Sequence, residues 1–238
     1  MRGLVRVGAA VPSLALGNVK ENMKRHLAMM REAKEKHVSI VTFPELSLTG
    51  YTCGDLFFQR RLLDDVTDAL LALKDEMPEG ILAVVGAPLE IEGALYNCAV
   101  VLHKGEIISA VPKTFLPNNG EFYEKRWFQS GDARRDASVA IPKLKTDVCR
   151  QAIFETEDGV RFGIELCEDL WAPLPPSTML SVEGAEIILN LSASNELLSK
   201  REYRQQLISQ QSARCQCGYV YVSAGMGESS SDLVFSGH

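Results

Sequence analysis

The stretch RFGIELCEDLW, Arg161 to Trp171, decides how this chain folds and what chemistry it can carry. Its apolar side chains recur at every second residue up to Leu166, which is the pattern of a β-strand. The two acids that follow Cys167 are typical of a turn or a helix start. The sequence therefore predicts that Cys167 lies at a strand end, where a scaffold can present a nucleophilic thiol to a pocket. A buried structural cysteine is the common alternative for any single cysteine.

The composition argues against some classes of protein, such as nucleic-acid-binding and membrane proteins. The chain has 238 residues, of which 46% are hydrophobic and 24% charged, enough for one large or two small globular domains. A net charge of -6 gives no basic footprint for nucleic acid, and no apolar run is long enough for a membrane span. Arg6 interrupts the apolar N-terminal segment, which favours a first strand over a signal peptide. We therefore expect a cytoplasmic protein with neither a nucleic-acid nor a membrane partner.

Cysteine and histidine usage argues against disulfides and metals. The six cysteines have no framework spacing, and the four histidines are not clustered. We expect reduced thiols and no metal site. The cysteines are Cys53, Cys98, Cys149, Cys167, Cys215 and Cys217.

Strand-like and helix-like segments alternate along the chain, which predicts one α/β domain with a mixed sheet. Strands are predicted at 4–11, 38–43, 81–88, 186–194 and 218–225, hairpins at 96–113 and 150–167, and helices at 19–33, 56–76, from 175, and 199–215. Residues 113–131 have no regular period and are typical of a functional loop. The chain stops within the strand-like segment DLVFSGH, so we expect it to be part of a longer protein.

Three reactive side chains follow predicted strands: Glu45, Lys113 and Cys167. Ligand pockets in α/β sheets form beyond the carboxyl ends of strands, so these residues can converge. The set suits acyl transfer, with the carboxylate as base, the thiol as nucleophile and the ammonium stabilising an oxyanion. Glu168 and Asp169 would raise the thiol pKa, so the arrangement needs the Lys113 cation nearby. Taken singly, Glu45 could be a solvated turn acid and Lys113 a surface cation.

Three motifs carry a family resemblance. FPELSLTGY (43–51), PKTFLPNNGEFYEKR (112–126) and LCEDLW (166–171) together resemble the nitrilase superfamily of carbon–nitrogen hydrolases. Further segments are similar to the glutaminase domains of glutamine-dependent NAD synthetases, and the resemblance covers 1–238. These segments are CEDLWAPLPPS (167–177), NLSASNELLSKREYR (190–204) and YVYVSAGMGESSSDLVFSG (219–237).

The resemblance implies a four-layer αββα sandwich with mixed sheets and amide hydrolysis through a cysteine thioester. It makes Glu45 the general base, Lys113 the oxyanion-stabilising acid and Cys167 the nucleophile. Glu121 resembles a second glutamate that orients this triad, and the backbone N–H of Glu168 is the expected second oxyanion donor.

The same resemblance points to glutamine as substrate. Ser194 and Lys200 fall where relatives contact the glutamine, although they could equally be a loop hydroxyl and a solvated cation. Asn119 stands where some relatives have a tyrosine, which leaves its contact to glutamine open.

The implied activity is hydrolysis of L-glutamine, with the ammonia passed to an ATP-dependent synthetase domain that amidates deamido-NAD. ATP and Mg²⁺ are expected only in that synthetase domain, and no cofactor in 1–238. Relatives assemble, so we expect a homo-oligomer. A stand-alone amidase for another small amide and a non-catalytic assembly module are the alternatives.

Overall fold

The computed structural model describes residues 4–133, 138–229 and 232–238. Its strands are β1 (Val7–Ala9), β2 (Ile40–Thr42), β3 (Leu82–Ile91), β4 (Ala94–His103), β5 (Glu106–Pro112), β6 (Ser138–Ile141), β7 (Thr146–Cys149), β8 (Ile153–Glu155), β9 (Arg161–Leu166), β10 (Ile187–Ser192) and β11 (Gly218–Ser223). Its α-helices are α1 (Val19–Glu35), α2 (Arg60–Glu76), α3 (Pro176–Val182) and α4 (Lys200–Cys215). Short 3₁₀ turns span Tyr51–Phe58, Glu124–Arg126, Gly131–Ala133, Cys167–Trp171 and Met226–Glu228.

Within these described ranges the strands form two mixed sheets. The larger sheet has the order β1-β2-β3-β4-β5-β7-β6, with β1, β2 and β3 parallel and β4 antiparallel to both neighbours. The smaller sheet has the order β11-β10-β9-β8, in which β9, β10 and β11 are parallel. The two mixed sheets confirm the predicted fold class. The alternation of elements alone did not give the number of sheets, because periodicity shows that a strand exists and not which sheet it joins.

Three apolar layers separate four layers of secondary structure, which confirms the αββα sandwich. Between α1, α2 and the larger sheet lie Leu27, Met30, Val66, Leu70, Val85 and Val100. Between the two sheets lie Val84, Val101, Phe162, Ile164, Leu189 and Leu191. Beneath α3 and α4, Leu180 packs on Ile188 and Cys217. Each sheet thus buries both of its faces, which explains why strands such as β3 are apolar at nearly every residue.

The predicted elements are largely confirmed, with three local differences. The segment at 232–238, predicted to be strand-like, forms no strand. The second helix begins at Arg60 rather than residue 56, because Gly54 adopts a φ of 58° and separates it from the preceding 3₁₀ turn. The hairpin of β6 and β7 was not predicted, since its strands are only four residues long. Ser230 and Ser231 of the last sequence motif lie outside the described residues. No helix in the described ranges is long and apolar enough to cross a membrane.

The topology brings the ends of four strands together. Because β4 is antiparallel to both of its neighbours, β5 runs in the same direction as β2, and the two strands end on the same side of the larger sheet. In the smaller sheet β9 and β10 are parallel and end nearly level with each other. The two sheets are joined at that edge by the backbone N–H of Glu45, which donates to the Ser192 carbonyl at the end of β10 (3.3 Å). This edge is where a ligand pocket is expected in α/β folds.

Gly86 tests how closely the Glu45 loop lies over the larger sheet. A Cβ on Gly86 would lie 2.8 Å from the carbonyl carbon of Glu45, which is inside van der Waals contact. We predict that Gly86→Ala lowers the free energy of unfolding by about 1–3 kcal/mol, since the loop must move to relieve the overlap. Urea denaturation measures the change.

Gly218→Ala, also in a strand, is the matched control. Its nearest non-neighbouring atom would be the Glu186 carbonyl oxygen at 3.8 Å, an ordinary contact. It should leave the urea midpoint almost unchanged. Equal midpoints for the two variants would contradict the close approach at Gly86.

Candidate active site

Glu45 follows β2 and is completely buried. Its Oε1 accepts hydrogen bonds from Asn97 Nδ2 (2.7 Å) and Lys113 Nζ (2.6 Å). Its Oε2 accepts one from the backbone N–H of Ala193 (2.9 Å), directly after β10. The carboxylate is therefore held by groups from both sheets, and the alternative of a solvated turn acid is wrong.

Lys113 follows β5 and is also buried, so it is not a surface cation. Its backbone N–H donates to the Asn97 carbonyl (2.8 Å), which fixes the start of its side chain. The ammonium Nζ lies between Glu45 Oε1 and Glu124 Oε1, at 2.6 Å from each. Burial opposes the charge, but the carboxylates of Glu124 and Glu45 prevail and raise the pKa of Lys113 well above its usual range.

Cys167 follows β9 and begins a 3₁₀ turn, as predicted. Its φ of 43° is a left-handed conformation that non-glycine residues seldom adopt, and such strain clusters at functional sites. Burial, followed by the nearby Glu45 charge, raises the pKa of the Cys167 thiol, while Lys113 and the Ala193 N–H lower it. Lys113 thus acts in the predicted direction without prevailing, and the thiol is neutral at rest.

Asp169 holds the turn that carries Cys167. Its carboxylate accepts hydrogen bonds from the backbone N–H groups of Leu166 (2.9 Å), Thr114 (3.1 Å) and Phe115 (2.7 Å). Burial raises the pKa of Asp169 to about 8, although the bonds from Leu166 and Phe115 lower it. Because Thr114 follows Lys113 along the chain, Asp169 ties the thiol turn to the lysine segment. The sequence had placed this acid beside the thiol only as a repelling charge.

The contact expected of Glu121 is made by Glu124. Glu124 is buried, and its Oε1 accepts from Tyr51 Oη (2.7 Å) as well as from Lys113. Burial raises the pKa of Glu124 to about 7, against the opposing effect of Lys113. Glu121 is only half-buried and instead accepts a hydrogen bond from Asn195. The segment has no regular period, so the sequence could not show which of these two glutamates, three residues apart, contacts Lys113.

The predicted substrate contacts lie in different environments. Lys200, the first residue of α4, is half-buried, and Glu168 beside Cys167 is also half-buried. Burial lowers the pKa of Lys200, while the charge of Cys167 opposes this effect. The ammonium lies 5.6 Å from the ring centroid of Trp171, the last residue of the turn that Cys167 begins. Ser194 is buried and accepts a hydrogen bond from Arg204 Nη1 (3.1 Å). Asn119 has an exposed side chain, and its carbonyl accepts a hydrogen bond from the backbone N–H of Phe122 (3.0 Å), so its contact with glutamine stays a prediction.

Asn97, Ala193 and Tyr51 were missed as parts of the site. Asn97 carried a usable signal, because it is a polar residue within a mostly apolar run of β4. Ala193 contributes only its backbone N–H, which no side-chain pattern reveals. Within the described residues, no group of histidine, cysteine and acidic side chains could hold a metal ion. All six cysteines are free thiols.

The chain is similar to known proteins over nearly its whole length. The model of the carbon–nitrogen hydrolase family matches residues 6–238. The chain is 38% identical over 238 residues to the glutamine-dependent NAD(+) synthetase of Mycobacterium tuberculosis, covering 99% of this chain and 35% of that protein. For the rat protein of the same name it is 31% identical over 212 residues, covering 85% and 29%. The chain thus spans about a third of the length of these curated relatives.

Solved structures share the fold. A glutamine-dependent NAD(+) synthetase from Cytophaga hutchinsonii has a TM-score of 0.81 at 29% identity, covering 92% of this chain and 36% of that one. The corresponding structure from Acinetobacter baumannii has a TM-score of 0.82 at 28% identity, covering 96% and 40%. An amidase from Nesterenkonia sp. has a TM-score of 0.77 at 16% identity, covering 97% and 79%, a likeness in fold alone.

Opposite charges beside the Cys167 thiol make its reactivity a test of the site. We predict that Glu45→Gln speeds alkylation of Cys167 at a fixed pH below the thiol pKa, because a nearby negative charge is removed. Lys113→Met should slow it, because the compensating cation is lost. Iodoacetamide labelling followed by peptide mapping measures both rates.

The exposed Lys20 in α1 supplies the matched control, and Lys20→Met should leave the rate unchanged. Circular dichroism checks that each variant remains folded. If Glu45→Gln and Lys113→Met change the alkylation rate in the same direction, the two charges do not act on the thiol pKa in opposite directions.

Proposed function

Because the chain belongs to the carbon–nitrogen hydrolase family, we propose that it hydrolyses the side-chain amide of L-glutamine to glutamate and ammonia through a cysteine thioester. The observation that carries this proposal is the buried contact of Lys113 with Glu45 beside the neutral thiol of Cys167. The choice of glutamine is supported by the relatives, which are named glutamine-dependent synthetases.

In the first half of the reaction, Glu45 takes the proton of the Cys167 thiol while the sulfur attacks the amide carbon. A free carboxylate is needed here because the thiol is protonated at rest. The negative charge that develops on the amide oxygen is stabilised by the Lys113 ammonium and by the backbone N–H of Glu168. The carbon–nitrogen bond then breaks, and the proton held by Glu45 leaves with the ammonia.

In the second half, a water molecule attacks the thioester carbon while Glu45 takes one of its protons. The carbon–sulfur bond breaks, the proton passes to the sulfur, and glutamate leaves with Cys167 restored. Glu124 takes no proton in either half. It shares the Lys113 ammonium and accepts a hydrogen bond from Tyr51, so it orients Lys113 toward the oxyanion.

The ammonia serves a second reaction in the full-length protein. The chain covers 35% of its M. tuberculosis relative, which supports a larger synthetase part that amidates deamido-NAD. ATP and Mg²⁺ bind in that part, and no cofactor is needed for the hydrolysis. The six cysteines are all free thiols, which suits a reducing compartment and supports a cytoplasmic location. We also propose that the protein forms a homo-oligomer and that it binds neither nucleic acid nor a membrane.

Cys167→Ala tests the nucleophile. It should lower glutamine hydrolysis by at least about a thousandfold, because the thioester cannot form, and should leave the circular dichroism spectrum unchanged. Cys149→Ala replaces a half-buried cysteine outside the site and should keep full activity. Ammonia release from L-glutamine measures the activity of the full-length protein.

Covalent labelling tests the substrate class independently. A diazo-ketone analogue of glutamine should add once, on Cys167, and excess glutamine should block it, as shown by mass spectrometry and peptide mapping. Labelling spread over several of the cysteines would count against the nucleophile. Equal hydrolysis of unrelated small amides would favour a stand-alone amidase over a glutaminase.

A further inference from the structure

Asn195 joins two charged side chains, Glu121 and Lys200. It follows β10 by three residues and is buried, with 2% of its surface exposed. Its Nδ2 donates a hydrogen bond to Glu121 Oε1, and its Oδ1 accepts one from Lys200 Nζ. We call Glu121, Asn195 and Lys200 the head-group set. A single fixed amide thus sets the positions of one carboxylate and one ammonium.

The two charges of the head-group set do not cancel each other by direct contact. Within the described ranges, Lys200 and Glu121 form no direct ion pair, although each charge acts on the other through space. The Lys200 ammonium lies over two aromatic rings instead, 5.6 Å from the Trp171 centroid and 5.7 Å from the Phe122 centroid. Both side chains are half-buried, so each charge retains capacity for an external partner.

This arrangement matches the charges of an α-amino acid. The head group of glutamine carries a carboxylate and an ammonium on one carbon, and a binding site must meet both charges. Two methylene groups separate that carbon from the amide carbon that the thiol attacks. The head group must therefore lie close to Cys167, and the Lys200 ammonium lies over Trp171, the last residue of the turn that Cys167 begins.

We propose that Glu121 determines substrate specificity by accepting the α-ammonium group of the amino acid. This assignment rests on the proposed hydrolysis of glutamine. Lys200 takes the α-carboxylate, and Asn195 holds both charged side chains in place. Glu121 is available for this contact because Glu124, not Glu121, binds Lys113. An amide without an α-ammonium group gains nothing from Glu121 and is bound less well.

The test compares two substrates in the full-length protein: L-glutamine and glutaramate, which has the same side-chain amide and carboxylate but no α-amino group. Glu121→Gln should raise KM for L-glutamine on the order of 10- to 100-fold, the effect of losing one charge-assisted hydrogen bond, with little change in kcat. It should leave KM and kcat for glutaramate unchanged. Glu121→Asp keeps the charge and should retain part of the preference for L-glutamine.

Glu106→Gln, at an exposed position at the start of β5, is the matched control and should change neither substrate. Equal losses on both substrates in Glu121→Gln would overturn the assignment, because Glu121 would then act on chemistry that the substrates share. No loss on either would overturn it too, as would equal losses in the Asp and Gln variants. Failure of the unmodified protein to hydrolyse L-glutamine would instead overturn the proposed function and this assignment with it.

Discussion

The buried ammonium of Lys113 is the constraint on which the rest of the structure depends. It has no access to water, so its charge is tolerated only because Glu45 and Glu124 each lie 2.6 Å away. Removing one partner of such a buried pair costs about 3–5 kcal/mol, since the remaining charge is left uncompensated. Three segments must therefore keep fixed positions relative to one another: the loop after β2, the end of β5 and the turn at Glu124.

The same charge balance decides how the thiol can react. Two carboxylates face one ammonium, so the surroundings of Cys167 disfavour a thiolate, and burial adds to the effect. An enzyme built around a preformed thiolate would need an excess of positive charge instead. Here the proton must leave as the sulfur attacks, which gives Glu45 its role as the base. Because the pKa of Glu124 is raised to about 7, the excess negative charge is partly relieved near neutral pH.

The sequence predicted the strands and the reactive residues at their ends, because local patterns of apolar residues reveal both. It predicted few of the contacts between segments that are distant along the chain. Glu45, Lys113 and Cys167 were found because each follows an apolar run, a local signal that survives folding. The second sheet could not be derived from local patterns, since strand pairing is set by packing across the whole chain. The role of Asp169 was missed for a related reason: its partners are backbone N–H groups on two separate segments.

One short segment carries both Glu121 and Glu124, and the two carboxylates bind different partners. The two carboxylates are three residues apart, and the backbone between them turns so that one meets Lys113 and the other Asn195. A movement of this segment would alter the lysine environment and the head-group set together. Recognition of the substrate charge and positioning of the oxyanion-stabilising cation thus depend on the same short segment but on different carboxylates. Because separate side chains carry the two tasks, the preference for one head group can change while Lys113 stays in place.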